Sequence, residues 1–551
     1  MSESAPTQLA PPRGPAAGEA LARIVRNSAF NALGTALILP FNFIALFTLA
    51  RRLGKESLGT FFTIFAISAV IHWIADAGVS TVLTHRIAQA PDQLRRIVGE
   101  AAGMLVLVAC TSVSLFYVVC FIWMLAAGGD FDWPVLAVAA MAMVTRHTLD
   151  FASNAFRGLE RFEFENLSRV LQTALFALFV WAAVYPETGG VLAGFTAFMA
   201  SNVIAASLIV TILVWRWNCR EFHLSRATIR DWLRESLPLG IGDSVRRLIM
   251  QLDTLLLAAF RPPALVGLFS VAYRPLQPLQ LLPRTIVSVT FPMMSRVAHS
   301  DRAALSRAFA RTTNILWVAS LPIALLTTAC AAPLILTTAG PDFTGAIWPL
   351  RVLIWVAPLV FINAQLRFAF TALEAQRHYW KLICWALVLK LVAELILIPL
   401  FGMYGACVGH VLGELALCVG GLAILHGYGV SGPHWSQLLR VAPAAAAMAV
   451  VLIPVWAPGA SLLQIAFYGL LSLPAYAVTS LVTGAAPWSD VKQVWQVVAR
   501  RAAGQRINRR ERQPAASSEF TGEMRIDRCE IPLSASAAEP RLRGAELAKT
   551  Q

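Results

Sequence analysis

About fourteen mostly apolar stretches of membrane-spanning length follow one another between residues 28 and 484, and in lipid such segments must satisfy their own backbone as helices. Windows of about 19 residues place the first six at 28–50, 59–83, 98–127, 134–156, 166–185 and 189–215. The next six fall at 237–260, 265–295, 311–338, 350–373, 380–400 and 405–427, with a final pair at 439–457 and 460–484. Only 14% of residues are charged and mean hydropathy is +0.63, whereas soluble domains carry about 25% charge. The expected fold is an all-α, polytopic membrane protein. The first stretch, Ser28 to Ala50, is too long for a signal-peptide core, and no cleavable signal is indicated.

Loop charge orients the chain. With the N-terminus inside, the inner loops hold seventeen basic residues: Arg86, Arg95, Arg96, Arg157 and Arg161, five from Arg216 to Arg234, four from Arg296 to Arg311, then Arg377, Lys381 and Arg440. The outer loops hold four, Arg51, Arg52, Lys55 and Arg261. This bias predicts two cytoplasmic termini and an even number of spans. It also absorbs most of the net charge of +14, so nucleic-acid binding need not be invoked. The eight cysteines show no C-x-x-C spacing and read as small core residues.

An offset of 208 residues aligns the start of the first six spans with the start of the second six. It pairs Ser28 with Ser236, Gly34 with Gly242, Leu49 with Leu257, Gly59 with Gly267 and Phe61 with Phe269. Two parallel six-helix lobes with a site between them are the expected architecture. The domains are then a leader (1–27), an N-lobe (28–217), a basic linker (218–236), a C-lobe (237–427), two further spans (428–485) and a tail (486–551). The tail's basic stretch, 491–512, can rest on anionic lipid or serve as a solvated topology anchor.

Charges recur inside the spans. A cation at the centre of a spanning helix costs about 2.5–3.5 kcal/mol even on the lenient insertion scale, so a wet cavity or a counter-ion is expected beside each. The cavity candidates are Arg146, Arg246, Arg274, Arg284, Arg367 and Lys390. Arg246 shares a helix face with Asp253, while Asp243 and Arg247, at i,i+4, can either neutralise each other or leave Arg247 to the cavity. Arg274 and Arg284 have no acidic neighbour on their own helix, which Pro275, Pro278 and Pro283 should bend; bent helices at membrane depth tend to line a pathway. Lys390 with Glu394, His410 with Glu414, and Arg146 with Asp150 sit at i,i+4 and can pair internally. A carboxyl withdrawn from water holds its proton more readily, which makes Asp253, Glu394, Glu414 and Asp150 candidates for ion coupling.

Enzymatic signals are missing or misleading. Gly427-Tyr-Gly429-Val-Ser-Gly432 matches a dinucleotide pattern but follows a spanning helix, and Asp130-Phe-Asp132 lies in a loop of a few residues. No H-E-x-x-H, P-loop or G-x-S-x-G occurs, so neither metal nor cofactor is expected.

Several segments carry a family likeness. Arg52-Leu-Gly-Lys-Glu-Ser-Leu-Gly59-Thr-Phe61 follows the first span, Asp76-Ala-Gly-Val-Ser-Thr81 ends the second, and Phe156-Arg-Gly-Leu-Glu-Arg-Phe162 follows the fourth. Asp253-Thr-Leu-Leu-Leu257, Val266 to Pro275, Phe291-Pro-Met-Met-Ser-Arg296, Gly340-Pro-Asp-Phe343 and Pro399 to Ala406 continue the series. In this order, over residues 25–485, they resemble the Wzx-type polysaccharide flippases of the MOP superfamily. The resemblance implies a MATE/MOP-like fold of two six-helix lobes plus two C-terminal helices. It also implies movement of undecaprenyl-pyrophosphate-linked oligosaccharide to the outer leaflet of a bacterial inner membrane by alternating access.

Arginine's donor fork suits the pyrophosphate, and an ion gradient is the expected energy source. Membrane lipids are expected partners, and polysaccharide polymerase and chain-length proteins are further candidates. The rivals are a lipid II flippase or multidrug exporter of the same fold, and, from another class, a membrane glycosyltransferase or polymerase. A cation exporter should have an acidic cavity, and such an enzyme a large outer loop, whereas the arginines here are in excess and the outer loops short.

Overall fold

The computed structural model describes residues 15–127, 131–183, 190–298, 300–432, 435–456 and 460–485; side chains before Leu33 and at 241–246, among others, lie outside it. The basic stretch 491–512 and the tail around it also lie outside the described residues. The N-terminal half contains α1 (Pro15–Asp76), α2 (Val79–Gln89), α3 (Leu94–Ala127), α4 (Trp133–Gly158), α5 (Phe162–Ala183) and α6 (Gly190–Trp217). The C-terminal half contains α7 (Arg226–Phe260), α8 (Pro263–Tyr273), α9 (Leu281–Val297), α10 (Arg302–Thr338), α11 (Ile347–Leu353), α12 (Ala357–Ala372), α13 (Gln376–Phe401) and α14 (Met403–Gly427). Last come the short α15 (Trp435–Leu439), α16 (Ala442–Leu452) and α17 (Leu462–Val482), whose Val441, Ala444, Met448 and Tyr476 share a core with Leu321 and Ala329 of α10.

Helix α1 shows how this chain makes its crossings. Its 62 residues would reach about 90 Å at 1.5 Å per residue, about three hydrocarbon cores. Gly54, at φ 71° and ψ 174°, breaks it into two spans with a conformation that side-chain-bearing residues avoid. Among the described residues, ten helices are long and apolar enough to cross a membrane, with α1 counted once. Helices α5 and α7 and the α8–α9 pair fall outside that set. They carry Glu165 and Arg169, Asp253 and Arg247, and Arg274 and Arg284, respectively, charges that lower their hydropathy. The bend expected from the prolines is present: α8 stops at Tyr273, and Arg274–Gln280 runs as a 3₁₀ turn before α9 starts.

The two halves meet along the second part of α1 and along α8. Leu49, Leu58, Phe61 and Phe62 join Val266, Phe269, Ala272, Leu350 and Ile354 in the largest buried core, sealing the face that carries Arg51 and Arg261. Gly59 and Gly267, equivalent under the 208-residue offset, face each other there. A Cβ on Gly59 would collide with the Pro263 carbonyl, and one on Gly267 with the Lys55 carbonyl. Arg51 also donates across the halves to the Thr337 carbonyl at 2.8 Å. Gly59→Val should cost about 1–3 kcal/mol, because backbone cannot yield as a side chain would. Gly427→Ala, with nothing within 4 Å of its added carbon, should be neutral. Thermal unfolding of the purified proteins checks this, and equal melting of Gly59→Val and wild type would contradict the close approach.

At the opposite, arginine-rich face the start of α7 docks onto α2 and α3. Arg86 meets Glu235 at 2.6 Å and stacks on Trp232 at 4.4 Å, and the indole of the fully buried Trp232 donates to Glu100 at 3.0 Å.

Candidate functional site

Between these closures lies a chamber of about 740 Å3, walled by α1, α4, α5 and α6 on one side and by α7, the 3₁₀ turn and α9 on the other. Its volume is within the ordinary range for small-molecule sites. The end nearer the sealed face is aromatic: Phe61 packs on Phe195 at 4.6 Å, and Phe65 on Phe198 at 5.6 Å. Toward the arginine-rich face the lining turns polar, with Asp76 at the last turn of α1, Arg157 at the last turn of α4, and Arg169 of α5.

Among the described residues six arginines line the chamber, Arg146, Arg157, Arg169, Arg247, Arg274 and Arg284, against two carboxylates, Asp76 and Asp150. Some are compensated. Arg146 Nε donates to Asp150 Oδ2 at 3.1 Å, Arg157 is held tightly by Glu165, and Arg169 lies 3.6 Å from the same Glu165. Asp76 accepts from the Ser80 hydroxyl at 2.6 Å. Arg247 stacks over Trp73 at 5.4 Å, and Arg284 is an exposed residue on the wall. Arg274 is different. Its guanidinium lies 3.6 Å from the Phe62 ring centre and 5.5 Å from that of Phe65, its Nε is buried without a hydrogen-bond partner, and no ion pair to it occurs among the described residues. A ring face attracts a cation but cannot neutralise it, so among the described residues no carboxylate balances the charge of Arg274.

Of the cavity candidates, then, Arg146, Arg274 and Arg284 are on the wall, and Arg246 falls outside the described side chains. Arg367 and Lys390 are not on the wall. Arg367 is exposed beside Phe368, 5.4 Å from its ring centre. Lys390 is locked in a second, buried cluster within the C-terminal half. Its Nζ lies 2.9 Å from each Asp253 oxygen and 3.6 Å from Glu394, and His410 Nδ1 lies 3.2 Å from Asp253 Oδ2. Asp253 and Glu394 are fully buried, and neither Glu394 oxygen has a hydrogen-bond partner.

The i,i+4 expectation holds for Lys390 with Glu394 and for Arg146 with Asp150 but fails for His410 with Glu414. Instead, His410 turns to Asp253, and Glu414 accepts from Asn363 Nδ2 at 2.7 Å. Asp253 takes Lys390 from α13, 137 residues away. Sequence reading also missed four wall residues. Arg157 looked like a loop residue, Arg169 lies only one turn beyond Glu165, Arg247 had been given to Asp243, and His72 had no local partner to mark it. The available signals are Arg169 and Arg247, cations inside the fifth and seventh apolar stretches.

The profile of a family described as polysaccharide biosynthesis protein matches residues 24–298, about half of the chain. A protein of Haloferax volcanii named probable flippase AglR is 24% identical over 330 residues, which cover 58% of this chain and 67% of that one. Among solved structures, the lipid II flippase MurJ in an inward closed conformation superposes with a TM-score of 0.65 at 11% identity, over 83% of this chain and 98% of that one. An inward-facing multidrug resistance MATE family transporter of the MOP superfamily gives a TM-score of 0.56 at 18% identity, over 72% and 96%.

Proposed function

The chain belongs to the polysaccharide biosynthesis protein family of the MOP superfamily, and on that membership we propose that it flips an undecaprenyl-pyrophosphate-linked oligosaccharide from the cytoplasmic to the outer leaflet. The observation that carries this reading is Arg274, a cation inside the chamber with rings beneath it and, among the described residues, no carboxylate beside it. A pyrophosphate diester supplies the missing negative charge, and guanidinium forks match its oxygens better than a lysine would. The sugars occupy the polar chamber while the polyprenyl chain stays in lipid. A lipophilic cation would meet the wrong sign of charge on these walls.

Orientation follows from loop charge: the arginine-rich face is cytoplasmic, so the sealed face is the outer one. Access alternates as the contact along α1 and α8 opens and the α2–α7 contact closes further. The cluster of Asp253, Glu394, Lys390 and His410, with Glu414 next to it, is the candidate for ion coupling, because ionisable groups inside membrane helices are costly and usually mark ion or substrate pathways.

Depleting the protein tests this directly. Lipid-linked oligosaccharide should accumulate on the cytoplasmic leaflet and clear when the wild-type chain is restored. Accumulation in the outer leaflet, as after loss of a polymerase, would refute the assignment.

A further inference from the structure

In the N-terminal wall of the chamber two nitrogen groups converge on one carboxylate oxygen. Asp150 Oδ2 is 3.1 Å from Arg146 Nε and also 3.1 Å from His72 Nε2. The His72 ring is stacked on His147, with centres 3.9 Å apart and planes at 22°, and His147 Nε2 is held at 2.7 Å by the Ser112 hydroxyl. His72 Nδ1 is buried with no hydrogen-bond partner. His72, Arg146 and Asp150 all line the chamber, and His147 lies behind them.

We propose that anion binding in the chamber is linked to protonation of His72, which takes over Asp150 and releases Arg146 to the anion. This deepens the flippase reading above and rests on it. The chemistry is one of charge counting. With a neutral imidazole, one carboxylate is matched by one guanidinium. Adding a proton to the imidazole puts two cations on a single carboxylate, and the surplus positive charge falls on the chamber wall, where a phosphate can take it. Stacking fixes the site of that proton: imidazoles 3.9 Å apart do not both carry a charge, and His147 is occupied by Ser112.

The other charged groups near His72 do not remove the contest. Asp76, one turn along α1, is tied to Ser80, and Arg247 of α7 is stacked on Trp73. Arg169 of α5 has Glu165 as its counter-ion. The linkage requires that binding take up a proton.

The test uses the full chain in nanodiscs and a farnesyl-pyrophosphoryl N-acetylglucosamine probe, whose phosphate diester does not itself titrate over the pH range tested. Wild-type affinity should rise about tenfold from about pH 8 to pH 5.5, and calorimetry in buffers of different ionisation heat should show net proton uptake. His72→Gln should flatten the pH profile. Asp150→Asn, which frees Arg146 at every pH, should bind at pH 8 as tightly as wild type does at pH 5.5. Unchanged pH dependence in His72→Gln, or wild-type binding without proton uptake, overturns the proposal while the flippase reading stands. Failure of the wild-type chain to bind the probe at any pH overturns both.

Discussion

Arg274→Ala should stop the export of lipid-linked oligosaccharide while leaving the protein folded in the membrane. Among the described residues Arg274 has no carboxylate partner to strand, so its removal leaves no unpaired acid there. What is lost is a charge-assisted contact at a half-buried guanidinium, a class of loss that costs about 2–5 kcal/mol when the partner is a buried charge. At about 1.4 kcal/mol per factor of ten, head-group affinity should fall at least about thirtyfold. Arg274→Lys restores the charge but not the planar fork or the fit against Phe62, and should recover only part of the activity. Phe62→Leu, which removes the ring 3.6 Å from the guanidinium, should cost less, about 0.5–2 kcal/mol. Leaflet-resolved measurement of the lipid-linked oligosaccharide, at matched protein abundance, checks the series. Wild-type flux through Arg274→Ala would move the pyrophosphate elsewhere in the chamber.

Lys390→Met should do the reverse and destabilise the fold. Two fully buried carboxyl groups, Asp253 and Glu394, would lose the ammonium 2.9 Å and 3.6 Å from them. Removing one member of a buried ionic group costs about 3–5 kcal/mol, because the other members keep their desolvation penalty without compensation. Pairing the change with Asp253→Asn removes one stranded charge and should recover most of that loss. Thermal unfolding separates the single variant from the double one. Transport then separates structure from coupling: a well-folded Lys390→Met/Asp253→Asn protein that still exports against a collapsed or an intact gradient alike would show that this cluster only holds α7, α13 and α14 together.

The contrast between Arg274 and Lys390 shows which parts of the site were legible in the sequence. Both are cations at bilayer depth, and the cost of putting them there marked both. Hydropathy windows fix where a helix crosses but not which way it is rotated, so a span's own residues reveal only partners at i±3 and i±4. That was enough for Lys390 with Glu394 and for Arg146 with Asp150. It could not reveal Asp253 reaching Lys390 across 137 residues, or His72 reaching Asp150 across 78. Arg274 was easier for a specific reason: three prolines and no acid on its own helix predicted a bent segment with an uncompensated charge, and the 3₁₀ turn Arg274–Gln280 supplies the bend. The 208-residue offset is informative in the same way, since it pairs Gly59 with Gly267, which meet in the fold.

That glycine pair bears on how cheaply such a machine can cycle. Knobs seated in holes must change rotamer or climb out before two helices part, whereas two bare stretches of main chain have nothing to unlock. In the alternating access proposed above, the resistance to opening where Gly59 and Gly267 touch would come from apolar surface exposed and not from interlocked side chains.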